Sequence, residues 1–120
     1  MVLDEDEQEQ ANSTNNPRAR NAIRKLKMRW PGNSIPYVIG IEFTKRDRAI
    51  IMKAMNIYKE YTCLRFKPRT NEQGYIYITK GSGCHSRVGY QGRRQDVSLG
   101  QGCMYPGIVI HEFMHAIGNN

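Results

Sequence analysis

The chain has 120 residues, of which 39% are hydrophobic and 24% are charged. That length accommodates one domain and not two, and the composition is that of a globular chain rather than of a disordered one. No apolar run approaches the roughly 20 residues that a membrane-spanning helix needs, so we expect no membrane span.

The charge of the chain is unevenly distributed. Lysine and arginine number 18 against 11 acidic residues, which gives a net charge of +7. Five acidic residues and no basic one lie within residues 1–10, so the rest of the chain carries 18 basic against six acidic residues, or +12. A chain segment with this charge could bind nucleic acid, an anionic surface or acidic substrates. It could equally present a basic face that is only solvated. Because the basic residues are scattered and no RNA-binding motif is present, we expect no nucleic-acid partner.

Residues 1–20 are predicted to form a disordered acidic and polar segment. They are acidic at first and then rich in Asn, Ser and Thr, with almost no apolar side chain to bury. The sequence Arg18-Ala19-Arg20 is as compatible with a protease processing site as with a basic linker. The first residues also lack the basic and apolar regions of a signal peptide.

A backing helix is predicted over about residues 44–62, after an early or edge strand at Ile35–Ile39 that Pro36 interrupts. Thr44 and Asp47 have the spacing of a capping box at the helix start. The apolar stripe that follows the cap predicts packing against a sheet; it consists of Ile51, Met55 and Tyr58, flanked by Ala54 and Tyr61.

Further strands and a second helix are predicted downstream. Strand candidates lie at 64–66, 75–78, 87–88 and 96–99, the last two within a glycine-rich stretch. The second helix is predicted over about 106–118, with Pro106 in its first turn. This order predicts an α+β fold with a mixed, twisted sheet and two helices.

Three cysteines, Cys63, Cys84 and Cys103, make an odd count. In a reducing compartment they would be free thiols or metal ligands. In an oxidising one, two of them pair and the third needs a partner outside this chain. The residues alone leave this choice open.

The second helix carries the sequence His111-Glu112-Phe113-Met114-His115. Residues four apart on a helix are separated by about 40° around the axis and about 6 Å along it, so both imidazoles can reach one zinc ion. Glu112 is about 100° further round from His111, where it can hold a metal-bound water as a general base. Apolar neighbours on most other faces predict that this active-site helix is buried, where three titratable side chains need partners. Gly118 permits a sharp exit from the helix.

Several motifs occur in a recognisable order between about Asn21 and Gly118. They are Trp30-Pro31, Ile35-Pro36-Tyr37, Thr62-Cys63-Leu64-Arg65-Phe66, Gly81-Ser82-Gly83-Cys84, Val97-Ser98-Leu99, Gly102-Cys103 and His111–Gly118. Together they resemble the astacin family of metzincin zinc endopeptidases. The resemblance implies the N-terminal subdomain of a zincin-like fold.

The resemblance also implies a site and a chemistry. Zn²⁺ is expected as the cofactor, with His111 and His115 as its ligands. Glu112 is expected to act as the general base in the hydrolysis of protein or peptide substrates. Cys84 and Cys103 are expected to form a disulfide. The strand Cys84-His85-Ser86 resembles the edge strand that binds substrate, which makes His85 a residue of the cleft rim rather than a ligand.

The same resemblance suggests how the chain is divided and where it acts. Residues 1–20 resemble the end of an activation propeptide, with Asn21 as the mature N-terminus of a secreted zymogen. Residues 21–120 resemble the N-terminal half of the peptidase domain.

The family pattern stops early in this sequence. The third zinc histidine and the partner of Cys63 are expected from downstream sequence, so we expect a truncated chain with little or no activity alone. Two alternatives remain: a non-catalytic zinc-binding or decoy relative, and a basic polyanion-binding module.

Overall fold

A computed structural model of the chain describes Pro17, Arg18 and residues 29–118. Of the segment predicted to be disordered, it therefore describes only Pro17 and Arg18, which are helical. The processing site at Arg20 and the domain start at Asn21 lie outside the described residues. The strands are β1 (Ser34–Ile39), β2 (Arg65–Pro68), β3 (Tyr75–Thr79), β4 (Cys84–Ser86) and β5 (Arg94–Leu99), and the helices are α1 (Lys45–Tyr61) and α2 (Pro106–Ile117).

The five strands form one mixed sheet in the order β2-β1-β3-β5-β4. The first three pairings in this order are parallel, and β4 joins β5 antiparallel. Helix α1 connects β1 with its parallel neighbour β2, which is the long crossover that parallel strands require. The prediction of an α+β fold with a mixed sheet and two helices is confirmed.

Two details of the predicted strands are wrong. Strand β1 is not an edge, because it lies between β2 and β3; Pro36 is accommodated one residue before the part of β1 that pairs with β3. Arg87 and Val88, predicted from the residues to be strand-like, are not in a strand, whereas the strand at Cys84–Ser86 implied by the resemblance is confirmed. The chain turns at Gly89, which has a φ of 78°. The Gly89 N–H donates to the carbonyl of His115 at 2.9 Å instead of continuing the sheet.

Helix α1 begins and packs as its sequence predicts. The Asp47 N–H donates to the Thr44 hydroxyl at 3.1 Å, and the Thr44 N–H donates to the Asp47 carboxylate at 3.2 Å, which completes the capping box. Ile51, Ala54 and Met55 are buried. Tyr61 was expected to flank this stripe but is 81% exposed, because it is the last helical residue and nothing in the described part of the chain covers it.

The core lies between one face of the sheet and both helices. Buried strand residues and buried residues of α1 and α2 form a single cluster that includes Ile35, Ile51, Ile76, Ile78, Val97, Leu99, Val109 and Phe113. Alternation along β3 turns Tyr75 and Tyr77 to the other face of the sheet. There the guanidinium groups of Arg69 and Arg94 lie 3.9 and 4.0 Å from the centres of these two rings. Neither helix is long and apolar enough to cross a membrane.

The Cys84–Cys103 disulfide implied by the resemblance is present, with a Cα–Cα separation of 5.8 Å. It links β4 to the segment that leads into α2. The two strands also approach closely just before β4 and just after β5, where the Gly100 N–H donates to the Gly83 carbonyl at 3.0 Å. A Cβ atom at Gly100 would overlap the Gly81 carbonyl, so only glycine fits there. Cys63 is exposed and forms no disulfide within the described residues.

Candidate metal centre

Helix α2 has clear start and stop signals. Pro106 occupies its first turn, where a missing N–H costs no helical hydrogen bond. At the other end Gly118 adopts the left-handed conformation with a φ of 104°, and its N–H lies 3.0 and 3.2 Å from the carbonyls of His115 and Met114. The sharp exit predicted at Gly118 is confirmed.

The two histidines of α2 converge. Their Nε2 atoms are 2.9 Å apart, and the ring planes meet at 88° with centroids 4.5 Å apart. Two nitrogens bound to one tetrahedral zinc ion at about 2.0–2.1 Å lie about 3.3 Å from each other. A movement of a few tenths of an ångström would therefore seat both rings on a single ion. The donor type and the spacing both fit zinc.

Two polar side-chain atoms of α2 are buried without a hydrogen-bond partner in the described part of the chain: Glu112 Oε1 and His115 Nδ1. Glu112 is only 6% exposed. A buried carboxylate with an oxygen left unpaired is costly, and in native proteins it usually marks a functional group or a bound water. A metal-bound histidine normally donates its second ring N–H to an acceptor, which His115 Nδ1 lacks here.

Burial of α2 is more one-sided than its composition predicts. Val109, Glu112, Phe113 and Ala116 are buried, whereas His111 is exposed and His115 is half-buried. The buried set repeats at three- and four-residue intervals and faces the sheet. His111 lies on the opposite side of the helix, where no described residue covers it. The expectation of a helix buried nearly all round is therefore wrong for the face that carries His111.

Within the described residues, three hydrogen bonds from distant segments hold α2, and sequence reasoning missed all of them. The Trp30 indole N–H donates to the Ala116 carbonyl at 2.8 Å, and the Tyr58 hydroxyl donates to the Ile110 carbonyl at 2.6 Å. The Gly89 N–H bond to His115 is the third. The available signal was that Trp and Tyr seek a partner for their polar ends when buried. Burial raises the pKa of Tyr58 to about 12, so its hydroxyl remains a donor.

Strand β4 forms the sheet edge on the side of α2. It pairs only with β5, through Cys84 opposite Leu99 and Ser86 opposite Val97. Cys84 and His85 are exposed and Ser86 is half-buried. The outer backbone groups of an edge strand are available to an incoming extended peptide. Within the described residues no group of three His, Cys, Asp or Glu side chains is placed to hold a metal, so His85 does not complete the His111–His115 pair.

Comparison with known proteins gives a consistent result. The family model for Astacin, which describes a family of peptidases, matches residues 22–120. Zinc metalloproteinase nas-8 of Steinernema carpocapsae is 45% identical over 100 residues, which are 82% of this chain and 24% of that protein. Zinc metalloproteinase nas-4 of Caenorhabditis elegans is 42% identical over 106 residues, 87% of this chain and 34% of the relative.

A solved structure shows the same relationship. High choriolytic enzyme 1, a hatching-enzyme zinc protease from the medaka fish Oryzias latipes, is 40% identical with a TM-score of 0.70. The match covers 75% of this chain and 46% of that one. The chain thus spans less than half the length of each of these proteins. Since the family model extends over most of its sequence, and the zinc proteases it resembles share its fold, the chain belongs to the astacin family.

Proposed function

We propose that this chain supplies the zinc-binding helix and the substrate-binding edge strand of a zinc-dependent metalloendopeptidase. His111 and His115 would hold the ion, and Glu112 would act as the general base. The single observation that carries this proposal is the convergence of the two Nε2 atoms to 2.9 Å on the helix that also carries the buried Glu112. Membership of a family whose relatives are named zinc metalloproteinases supports it.

Zn²⁺ bound there would lower the pKa of a bound water and polarise the scissile carbonyl. The remaining chemistry belongs to Glu112. Its unpaired oxygen would accept a proton from the attacking water and pass that proton to the nitrogen of the leaving amine. Burial of Glu112 keeps competing solvent away from this carboxylate, since it is only 6% exposed.

Strand β4 would align the substrate, a protein or peptide in extended form. An incoming peptide would pair antiparallel with the free edge at Cys84, His85 and Ser86 through main-chain hydrogen bonds. The disulfide at Cys84 ties this edge to the segment before α2, which would keep substrate and ion in register. In this arrangement His85 lines the rim of the cleft.

A complete catalytic zinc site needs three protein ligands and one open position. We propose that the third ligand and a partner for Cys63 come from sequence beyond the described residues. We also propose that residues 1–20 are the end of an activation segment and that residues 21–120 are the N-terminal half of the peptidase domain. The disulfide supports secretion, because such bonds persist in oxidising compartments.

Zinc binding tests the site directly. In the 120-residue chain we expect one weakly bound zinc ion per molecule by chelator competition, because only two of the three ligands are proposed within it. We expect His111→Ala or His115→Ala to weaken this binding at least tenfold. His85→Ala is the matched control and should leave the affinity unchanged. Equal affinity in all four proteins would contradict the proposed site.

A hydrolysis assay distinguishes a peptidase from a non-catalytic zinc-binding relative. The second possibility stands because no group of three metal-ligating side chains occurs among residues 29–118. We expect little turnover of casein by the 120-residue chain with added zinc. In the longest natural protein that contains this chain, we expect chelator-sensitive turnover. Glu112→Gln should lower that turnover by about 10²–10⁴-fold while zinc binding persists. Zinc binding without turnover in the wild-type protein would favour the non-catalytic relative.

A further inference from the structure

Two long-range hydrogen bonds reach backbone carbonyls of helix α2, one just before and one just after its histidine pair. The Tyr58 hydroxyl donates to the carbonyl of Ile110, the residue before His111. The Trp30 indole donates to the carbonyl of Ala116, the residue after His115. The donors come from α1 and from the segment before β1, so both bonds fix α2 relative to the rest of the domain.

The two bonds differ in what the helix itself requires. Ala116 lies in the last turn of α2, where carbonyls have no partner within the helix, so Trp30 satisfies an acceptor that every helix end leaves open. Ile110 lies in the helix interior, where its carbonyl already faces the N–H of Met114 four residues on. The Tyr58 bond is therefore additional to the helix ladder, and helix formation alone does not explain it.

The position of the Tyr58 hydroxyl is itself tightly defined. Its ring lies 5.9 Å from that of Phe66, and the Phe66 ring lies 5.0 Å from that of Phe113 on α2. At 2.6 Å the hydroxyl makes the shortest of the three long-range bonds to α2. Burial raises the pKa of Tyr58 to about 12, so the donor proton is retained at every pH at which the domain would work.

We propose that Tyr58 is a positioning residue for the proposed zinc site, acting through the Ile110 carbonyl to fix the backbone from which His111 projects. This inference rests on the proposed function. The two Nε2 atoms lie 2.9 Å apart, a few tenths of an ångström from the roughly 3.3 Å of a tetrahedral site, so a small local change in the backbone at Ile110 would alter how the His111 ring meets the ion. Groups that orient metal ligands typically change metal affinity 10–100-fold when removed, and a contact through the backbone should act more weakly.

The test compares Tyr58→Phe with Tyr61→Phe in the 120-residue chain. Tyr58→Phe removes only the donor and keeps the ring beside Phe66, whereas Tyr61 is exposed on the same helix and serves as the matched control. Zinc affinity is measured by chelator competition, and the ring-proton NMR shifts of His111 and His115 are recorded at saturating zinc. We expect a three- to tenfold loss of affinity and shifted histidine signals for Tyr58→Phe, with no change for Tyr61→Phe.

A second control separates positioning from general loss of stability. Ile51→Val removes one buried methyl group from the same helix and should destabilise the domain without touching α2 carbonyls. Its zinc affinity and histidine shifts should match those of the wild type in the folded protein. Wild-type affinity and shifts in Tyr58→Phe, or equal changes in Ile51→Val, would overturn the positioning role. Failure of the longest natural protein that contains this chain to bind zinc through His111 and His115 would instead overturn the proposed function.

Discussion

Helices α1 and α2 pack on the same face of the sheet but differ in how their polar groups are satisfied. In α1 the polar atoms at the start are paired locally by the Thr44–Asp47 capping box, and the buried side chains are all apolar. In α2 the buried set includes Glu112, and two buried polar atoms lack partners within the described residues. The comparison indicates that the polar groups at the start of α1 are satisfied locally, whereas α2 keeps buried polar atoms that cost stability unless a ligand or water satisfies them.

The largest change in the free energy of unfolding is expected on the face of α2 that packs in the core. Phe113→Ala removes a fully buried ring and should lower the free energy of unfolding by about 3–5 kcal/mol. Urea denaturation followed by circular dichroism measures this loss. Lys53→Ala on the exposed face of α1 is the control and should change stability by less than about 0.5 kcal/mol. A small loss for Phe113→Ala would show that α2 does not pack as described.

The disulfide should contribute the next largest share. Replacing both Cys84 and Cys103 by Ser opens a loop with a sequence separation of 19 residues. The chain-entropy estimate for such a loop is about 3 kcal/mol at 25 °C. The unfolding midpoint of the double variant is compared with that of Cys63→Ser. This control replaces a cysteine by serine without breaking the disulfide, so the difference reports the contribution of the bond. Equal stability of the double variant and the wild type would show that the bond does not constrain α2.

A gain in stability is expected at the proposed catalytic residue. Glu112→Leu removes a buried carboxylate with an unpaired oxygen and should raise the free energy of unfolding by about 1–3 kcal/mol when no metal is present. Thermal unfolding in the presence of a chelator tests this. A loss of stability in Glu112→Leu would mean that the carboxylate has a structural partner, and the contrast between the helices would fail.

A smaller loss is expected at the start of α1. Thr44→Ala removes the hydroxyl that accepts from the Asp47 N–H and should cost about 1 kcal/mol. Thr44→Ser keeps this acceptor and should retain most of the stability. Guanidinium denaturation of the three proteins makes the comparison, and identical midpoints would show that the cap contributes nothing.

The smallest effect is expected at the contact between the two helices. The pKa of Tyr58 is raised by burial to about 12 from an ordinary value of 10.0, so the folded state holds its proton more tightly than the unfolded state. Stability should therefore be constant below about pH 10 and fall between pH 10 and 12. The fall should be slight, because Tyr58 is only partly buried and its charged form keeps part of its solvation. Tyr58→Phe should lose this pH dependence in alkaline unfolding measurements, whereas Tyr61→Phe should keep it.

The parts of the fold that could be predicted depend on local signals. The α1 cap follows from Thr44 and Asp47, and the ends of α2 follow from Pro106 and Gly118, because each is decided within a few residues. The histidine spacing likewise predicts that the two rings converge.

The remaining contacts depend on residues far apart in the chain. The Trp30–Ala116 bond joins positions 86 residues apart and the Tyr58–Ile110 bond joins positions 52 apart, so no local pattern indicates either partner. The interior position of β1 was missed for the same reason. Strand order depends on where β2 returns after α1, and the proline that suggested an edge is tolerated inside the sheet.

The two ends of the sheet differ in their response to foreign strands. Strand β2 exposes Arg65 and Lys67 and finishes at Pro68, which has no amide proton to offer. Charge and proline are the features by which natural sheets resist aggregation. Strand β4 is three residues long and has no proline. Strand addition is therefore disfavoured by charge and proline at the β2 end, and at the β4 end the length of the strand limits it to about three residues.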